Sequence, residues 1–227
     1  MNHIKEYVIG FVECTIDYKE FVQKCRSDSE IFDWLQSIVP QGLTCHKYTF
    51  DAYHQLIGDE VIPYDIRVVT DFMDGSDHTV LGYALNLQAT IHQLLTKAFP
   101  NENVTKGDHI SSLFNFILDA CPSYIGGPEV ENAGIFEKLL TILPLDATYK
   151  QRTKLFKNAA LELFHIDGKN CPRWINEPEW PISSTGKPLR FTGQKKRKGI
   201  EYDTILYTDY FFEDVDTGES RVVSQFT

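Results

Sequence analysis

Seven histidines, five cysteines and several close pairs of carboxylates are the side chains in this 227-residue chain that could carry chemistry. Histidine is the commonest metal ligand and general base. His3, His46, His54, His78, His92, His109 and His165 form neither an HxH nor an HExxH pattern. Cys45-His46 with His54, and Met73-Asp74 with Asp77-His78, are loose groupings without defined ligand spacing, so no metal site and no cofactor is expected. Cys14, Cys25, Cys45, Cys121 and Cys171 are widely spaced, odd in number and free of a CxxC pair, which reads as free thiols in a reducing compartment. Cys171 is the exception worth testing, because Lys169 and Arg173 beside it would favour a thiolate. Cys121, before Pro122 at the end of an apolar run, reads as buried. Gly126-Gly127-Pro128-Glu129 precedes a helical pattern, and its amides could face an anion. Glu129 and Glu131 would repel a phosphate, which favours a tight turn. No GxSxG elbow is present. Glu177 with Glu179 and Asp214 with Asp216 fall in loops and turns. The balance leans against an enzyme.

Charge is the next constraint. The formal net charge is −10, and all of it lies in residues 1–168, with 23 acids and 13 bases; residues 169–227 carry nine of each. An acidic surface repels nucleic acid and attracts basic partners. The one basic run, Lys195-Lys196-Arg197-Lys198, reads as a solvated hairpin tip, too small a footprint to make nucleic acid an expected partner. No apolar run is long enough to span a bilayer, and the amino terminus has no basic segment followed by an apolar one, so a cytoplasmic protein without membrane contact is expected.

The elements that must position these residues follow from hydrophobic period. EYVIGFVECTI (6–16) reads as a strand. Helices are expected over 18–26 and 30–38, over 48–57 with a continuation at 63–73, and over 86–99, 108–120, 128–143 and 147–164, with Gly168 closing the last. Residues 188–195, 202–213 and 221–226 alternate as strands, with Asp214–Glu219 as the turn between the last two. The fold class is therefore α+β: a mainly helical, acidic region 1–168, then a Trp/Pro-rich segment and an antiparallel sheet of about three strands over 169–227, which the strand at 6–16 could join. The two parts are expected to pack as one compact unit. Trp34, Leu35, Leu94, Ile117, Leu140, Phe156, Leu163, Trp180, Phe191 and Val223 are the expected core.

Between Pro172 and Pro188, 17 residues hold Trp174, Trp180 and four prolines. Asn176-Glu177-Pro178-Glu179-Trp180-Pro181, Gly186-Lys187-Pro188-Leu189-Arg190-Phe191 and Gly193-Gln194 resemble the "EWP … G-x-P-L-x-F … Q" motif of the YwqG-like family over about 176–194. From CPRWI through EDVDTGE to VVSQF, the chain is also similar to uncharacterised bacterial cytosolic proteins of like length, which stand beside polymorphic toxin genes and look like immunity proteins. That resemblance implies a protein that neutralises a basic toxin through an acidic surface. The acids that would make the contact are Asp59, Glu60, Asp71, Asp74, Asp77, Glu129 and Glu131, with Tyr64 or Tyr124 as exposed aromatic anchors. The alternative is an enzyme or ligand-binding protein. Its site would be a seam between the helical part and the terminal sheet, lined by His165, Cys171, Trp174, Glu179 and Trp180.

Overall fold

A computed structural model describes residues 2–50, 55–71, 80–144, 146–198 and 206–226. The protein is α+β. Among the described residues it has nine helices, a two-stranded antiparallel sheet and a three-stranded antiparallel sheet. The chain divides into two compact units, Met1–Phe114 and Asn115–Thr227.

The first unit opens with a helix, α1 (Asn2–Val12), where a strand was expected. Its β-branched and aromatic run mimics a strand, but Val8, Phe11 and Val12 sit at helical spacing and are fully buried. Phe11 lies flat on Phe21 of α2 (Tyr18–Ser27), ring centroids 3.8 Å apart. Asp17 caps α2 by accepting from the amides of Lys19 and Glu20. α3 (Glu30–Ser37) buries Ile31, Trp34 and Leu35. The expected helix over 48–57 is absent as well. Thr44–Phe50 is strand β1, Leu56–Pro63 is strand β2, and residues 51–54 lie outside the described set. Phe50 and Ile57 happen to fit a helical period, yet the segment is rich in Thr, Tyr, Phe, Ile and Val, which suit a pleated strand. Gln36 holds the base of this hairpin: its amide donates to the Tyr64 carbonyl at 2.9 Å, and its carbonyl accepts from the Ile66 amide at 3.0 Å. α4 (Ile66–Asp71) begins three residues later than expected. α5 (Val80–Ala98) starts six residues earlier than its strongest period, and buries Leu81, Ala84, Leu87, Ile91 and Leu95. From α5, the Gln88 side chain donates to the Val12 carbonyl at 2.8 Å, anchoring the end of α1.

The division between the units falls within α6 (His109–Ala120). In the second unit the expected helix over 128–143 is two, α7 (Pro128–Asn132) and α8 (Ile135–Thr141), because Gly134 turns left-handed at φ 64°. α9 (Tyr149–Leu163) starts with a capping box between Thr148 and Gln151. Its left-handed terminal residue is His165 at φ 52°, not Gly168, which sits in the following turn. Strands β3 (Arg190–Lys198), β4 (Leu206–Glu213) and β5 (Ser220–Phe226) form the expected meander. No strand from the amino terminus joins it. The basic run is not a hairpin tip: Lys195 to Lys198 are paired along β3 with Asp209 to Leu206.

Helices α7–α9, the Trp/Pro segment and the sheet share one core, centred on Phe156, Phe164, Trp180, Tyr210 and Phe212. Trp34, Leu35 and Leu94 are buried in the first unit, and Phe156, Trp180 and Phe191 in the second. Ile117, Leu140, Leu163 and Val223 pack on the second core while partly exposed. Gly127 admits the Trp/Pro segment to this core. Its φ is +112°, and a Cβ there would lie 2.5 Å from the Pro178 carbonyl oxygen. Gly186 also has positive φ, but open space around it. Gly127→Ala should therefore cost roughly 2–4 kcal/mol, strain plus collision, and Gly186→Ala only about 1 kcal/mol. Urea unfolding followed by tryptophan fluorescence checks this; equal costs would show that the close approach at Gly127 carries no weight.

Candidate functional site

Two places bring the singled-out residues together. The first is the Trp/Pro segment of the second unit. Prolines bar it from a sheet, so its amides and carbonyls must find partners elsewhere. Gln225 supplies three of them, at Ile175, Asn176 and Glu177. It sits on β5, only 2 % exposed, and its side-chain carbonyl accepts from the amides of Ile175 and Asn176 at 3.0 and 3.1 Å. Its NH2 group donates to the Glu177 carbonyl at 2.8 Å and to the Glu179 carboxylate at 2.9 Å. All four hydrogen-bonding positions of the amide are used. Next to it, the Tyr210 hydroxyl donates to the Arg173 carbonyl and accepts from the Ile175 amide, both at 2.9 Å. Burial raises the pKa of this phenol, which keeps its proton in place for that donation. From β3, Gln194 accepts from the Arg173 amide at 2.8 Å.

The two tryptophans complete the packing. Trp180 is 0 % exposed, set edge-on to Phe164 and Phe212, and its indole N–H donates to the Leu189 carbonyl at 2.8 Å. Trp174 lies over Tyr210 with centroids 4.4 Å apart and donates to the Tyr124 carbonyl at 2.9 Å. Of the five residues expected to line a seam, Trp174, Trp180 and Glu179 are thus joined in one network whose rings and hydrogen bonds are spent on each other. His165 is exposed at the end of α9 and Cys171 is half-buried; neither joins that network by a side-chain hydrogen bond. The Cys121 thiol, pushed up to about 12 by burial, is poorly suited to act as a nucleophile. Gly126-Gly127 serves as a turn whose Gly126 carbonyl accepts from the Trp180 amide at 3.0 Å. Gln225, the residue with the most partners here, escaped sequence reasoning. Its signal was a polar residue one pleat from Val223 on the core-facing side of β5.

The second place is the β1–β2 hairpin of the first unit. Cross-strand pairing puts His46 with Val61 and Tyr48 with Asp59 on one face, and Cys45 with Ile62 and Lys47 with Glu60 on the other. His46 meets Asp59 at 2.7 Å and stacks on Tyr48. Leu56, Ile57 and Val61 are 56 %, 64 % and 61 % exposed, unusual for large aliphatic side chains in one short strand. Asp59 and Glu60 lie between them in sequence. Asp71 ends α4, while Asp74, Asp77 and His54 lie outside the described residues.

The remaining candidates are placed differently. Glu129 is engaged inside the second unit, where both carboxylate oxygens meet the Arg221 guanidinium and one accepts from the Ile182 amide at 3.0 Å. Burial raises its pKa, but these hydrogen bonds outweigh that and hold the carboxyl below its ordinary range. Glu131 lies on α7, half-buried. Tyr64 and Tyr124 are half-buried rather than exposed, so neither is the projecting anchor that was expected. Among the described residues no three His, Cys, Asp or Glu side chains gather as a metal site, and no helix is long and apolar enough to cross a membrane.

Comparison with protein-family models, with curated proteins and with solved structures finds no match to this chain in any of the three. The site residues must therefore be read from their own geometry. Replacing Gln225 by Leu keeps the bulk but strands the Asn176 amide, the Glu177 carbonyl and the Glu179 carboxylate, while the Ile175 amide keeps its bond to the Tyr210 hydroxyl. The expected loss is roughly 2–4 kcal/mol in the unfolding transition of the second unit. Gln194→Leu, which strands one exposed amide, should cost about 1 kcal/mol or less. The pair of urea midpoints measures the difference, and a near-neutral Gln225→Leu would show that water replaces the amide.

Proposed function

We propose that the protein is a cytoplasmic, partner-binding protein of the immunity or antitoxin kind, which neutralises a basic protein toxin through the acidic surface of its first unit. The observation that carries this reading is the β1–β2 hairpin. It presents Leu56, Ile57 and Val61 to solvent, with Asp59 on the face of Val61 and Glu60 on the opposite face. A two-stranded hairpin is marginal by itself in water, and exposed aliphatic side chains on it contribute nothing until something covers them. Covering them supplies apolar burial, which is the main source of affinity at an interface.

The charge of the unit supports the same partner. Residues 1–114 hold 16 acids and 8 bases, so −8 of the chain's −10 lies there. Such a field speeds the approach of a cationic protein and penalises acidic ones. Asp59 is already in contact with His46, which orients its carboxylate without removing it from the surface, since both side chains are about half exposed. Rings and hydrogen bonds fill the contacts among Trp174, Trp180 and Glu179, and this weighs against the alternative of a ligand seam there.

The test begins with affinity capture from the native cells at moderate salt and identification of a stoichiometric basic partner. The double reversal Asp59→Lys/Glu60→Lys should then slow association at least tenfold and flatten its salt dependence, as charge changes at an interface rim do. Val61→Ser should raise the dissociation rate. A partner that binds both variants as it binds the unaltered protein would overturn the reading.

A further inference from the structure

The β1–β2 hairpin has two faces and two outer edges, and its acids are placed so that only an edge can use both. Asp59 shares one face with Val61, and Glu60 stands on the other. All three side chains are exposed. A partner laid flat on either face meets one acid and leaves the other behind the sheet.

The β2 edge also has main-chain groups to offer. The Tyr64 amide donates to the Leu43 carbonyl at 2.9 Å. The same register continues through Cys45 with Ile62, Lys47 with Glu60 and Thr49 with Gly58. In an antiparallel ladder these alternate pairs exchange the cross-strand bonds, and the residues between them turn their main-chain groups outward. On β2 those residues are Asp59, Val61 and Pro63. Pro63 has no N–H to turn outward, so it closes one end of the usable edge. The bulge between Thr49 and Phe50 closes the other, which leaves residues 58–62. Among the described residues α4 packs beside β1, whereas β2 has no comparable neighbour except β1 itself.

Charge decides what can lie along that edge. Two β2 edges paired about Asp59 and Glu60 would set like charges opposite each other, which excludes a second copy of the chain. The same acids attract a strand with two adjacent bases. Such a strand sends alternate side chains to the two faces, so one base reaches Asp59 and the next reaches Glu60. Asp59 meets His46 through one carboxylate oxygen, which leaves the other for that base. The residue beyond the pair of bases then covers Val61, 61 % exposed in the free chain.

We infer that β2 accepts an extended segment of the partner as a third, antiparallel strand, and that this segment carries an apolar residue followed by two bases. The inference rests on the basic-partner reading and adds how the partner is held. Main-chain hydrogen bonds to Asp59 and Val61 supply affinity, and one ion pair on each face supplies selectivity. A two-stranded hairpin is marginal alone, and a third strand gives it the minimum of a stable sheet.

The probe is the capped peptide Thr-Val-Lys-Lys-Thr-Val-Thr, titrated into the isotope-labelled full chain, with amide hydrogen exchange followed residue by residue. Near saturation, exchange at the Asp59 and Val61 amides should slow at least about tenfold, because both gain a main-chain partner. In this pairing the amides of the first Val and the second Lys face β2, and methylating those two nitrogens should abolish binding. Methylating the amides of the first Lys and of the Thr after the lysines, which face away, should not. Asp59→Lys/Glu60→Lys should weaken the peptide roughly fivefold or more and favour its Glu-Glu counterpart instead. Both changes are on exposed side chains, and an unaltered urea midpoint confirms the fold. The inference is overturned if the peptide does not bind, if it binds without slowing those two amides, or if the two methylated peptides bind alike. The same exchange measurement on a captured basic partner separates the two claims. A partner that leaves both amides exchanging as in the free chain overturns the added strand while the toxin reading stands. Protection of both amides by the peptide upholds the added strand even where capture returns no basic partner.

Discussion

A segment crowded with proline cannot satisfy its own backbone, and the second unit is arranged around that deficit. Between Cys171 and Leu189 the chain forms no helix and no extended strand, yet Trp180 at its middle is completely buried. A buried loop is tolerated only when every amide and carbonyl has a partner. For its first part, Arg173 to Glu177, Gln225, Tyr210 and Gln194 provide partners from three different strands, reaching out of the sheet to a chain that cannot enter it. Once the segment is fastened there, the indoles of Trp174 and Trp180 are fixed, and with them the rings of Phe164, Phe191 and Phe212. The amide of a single glutamine thus sits upstream of most of the core.

This explains which parts of the structure could be read in the sequence. Helices α5, α6 and α9 and the three-stranded meander announce themselves because each repeats one period long enough to outweigh local noise. α1 and the β1–β2 hairpin do not. α1 is short, and its Val8-Ile9 pair suits a strand locally, so packing of Phe11 on Phe21 decides against propensity. The hairpin shows almost no burial alternation, so the strongest strand signal is missing from it. The split of 128–143 at Gly134 was legible only as a glycine, since nothing in the spacing says that it turns left-handed. In the site, Trp180 and Glu179 stood out by density of tryptophan and proline, whereas the role of Gln225 depends on a segment some fifty residues away.

The fate of the acidic residues makes a related point about reading charge from sequence. Glu129 was an equal candidate with Asp59 and Glu60 for a partner surface. In the structure its oxygens are committed to Arg221 and Ile182, so it contributes to the unit's architecture rather than to its outward field. Asp209 and Glu213 are likewise committed to Arg197 and Arg190. A count of acids and bases measures the field at long range, but only side chains without internal commitments are available at contact distance.

That distinction separates the two surfaces of interest. On the hairpin, aliphatic side chains stand beside acids that keep their exposure. On the outer face of the terminal sheet, Asp209 and Glu213 are held by Arg197 and Arg190. Each pairing alternates along a strand with rings or aliphatic groups that the core does not take. The same period of two that buries Tyr210, Phe212 and Gln225 on one side must deliver Tyr207, Phe211 and Phe226 to the other. Rings on that side add nothing to the core, and their exposure would carry a solubility cost if no contact ever covered them. The register that seats Gln225 under the Trp/Pro segment is therefore also what lays out the opposite face, and a one-residue slip of β5 would lose both at once.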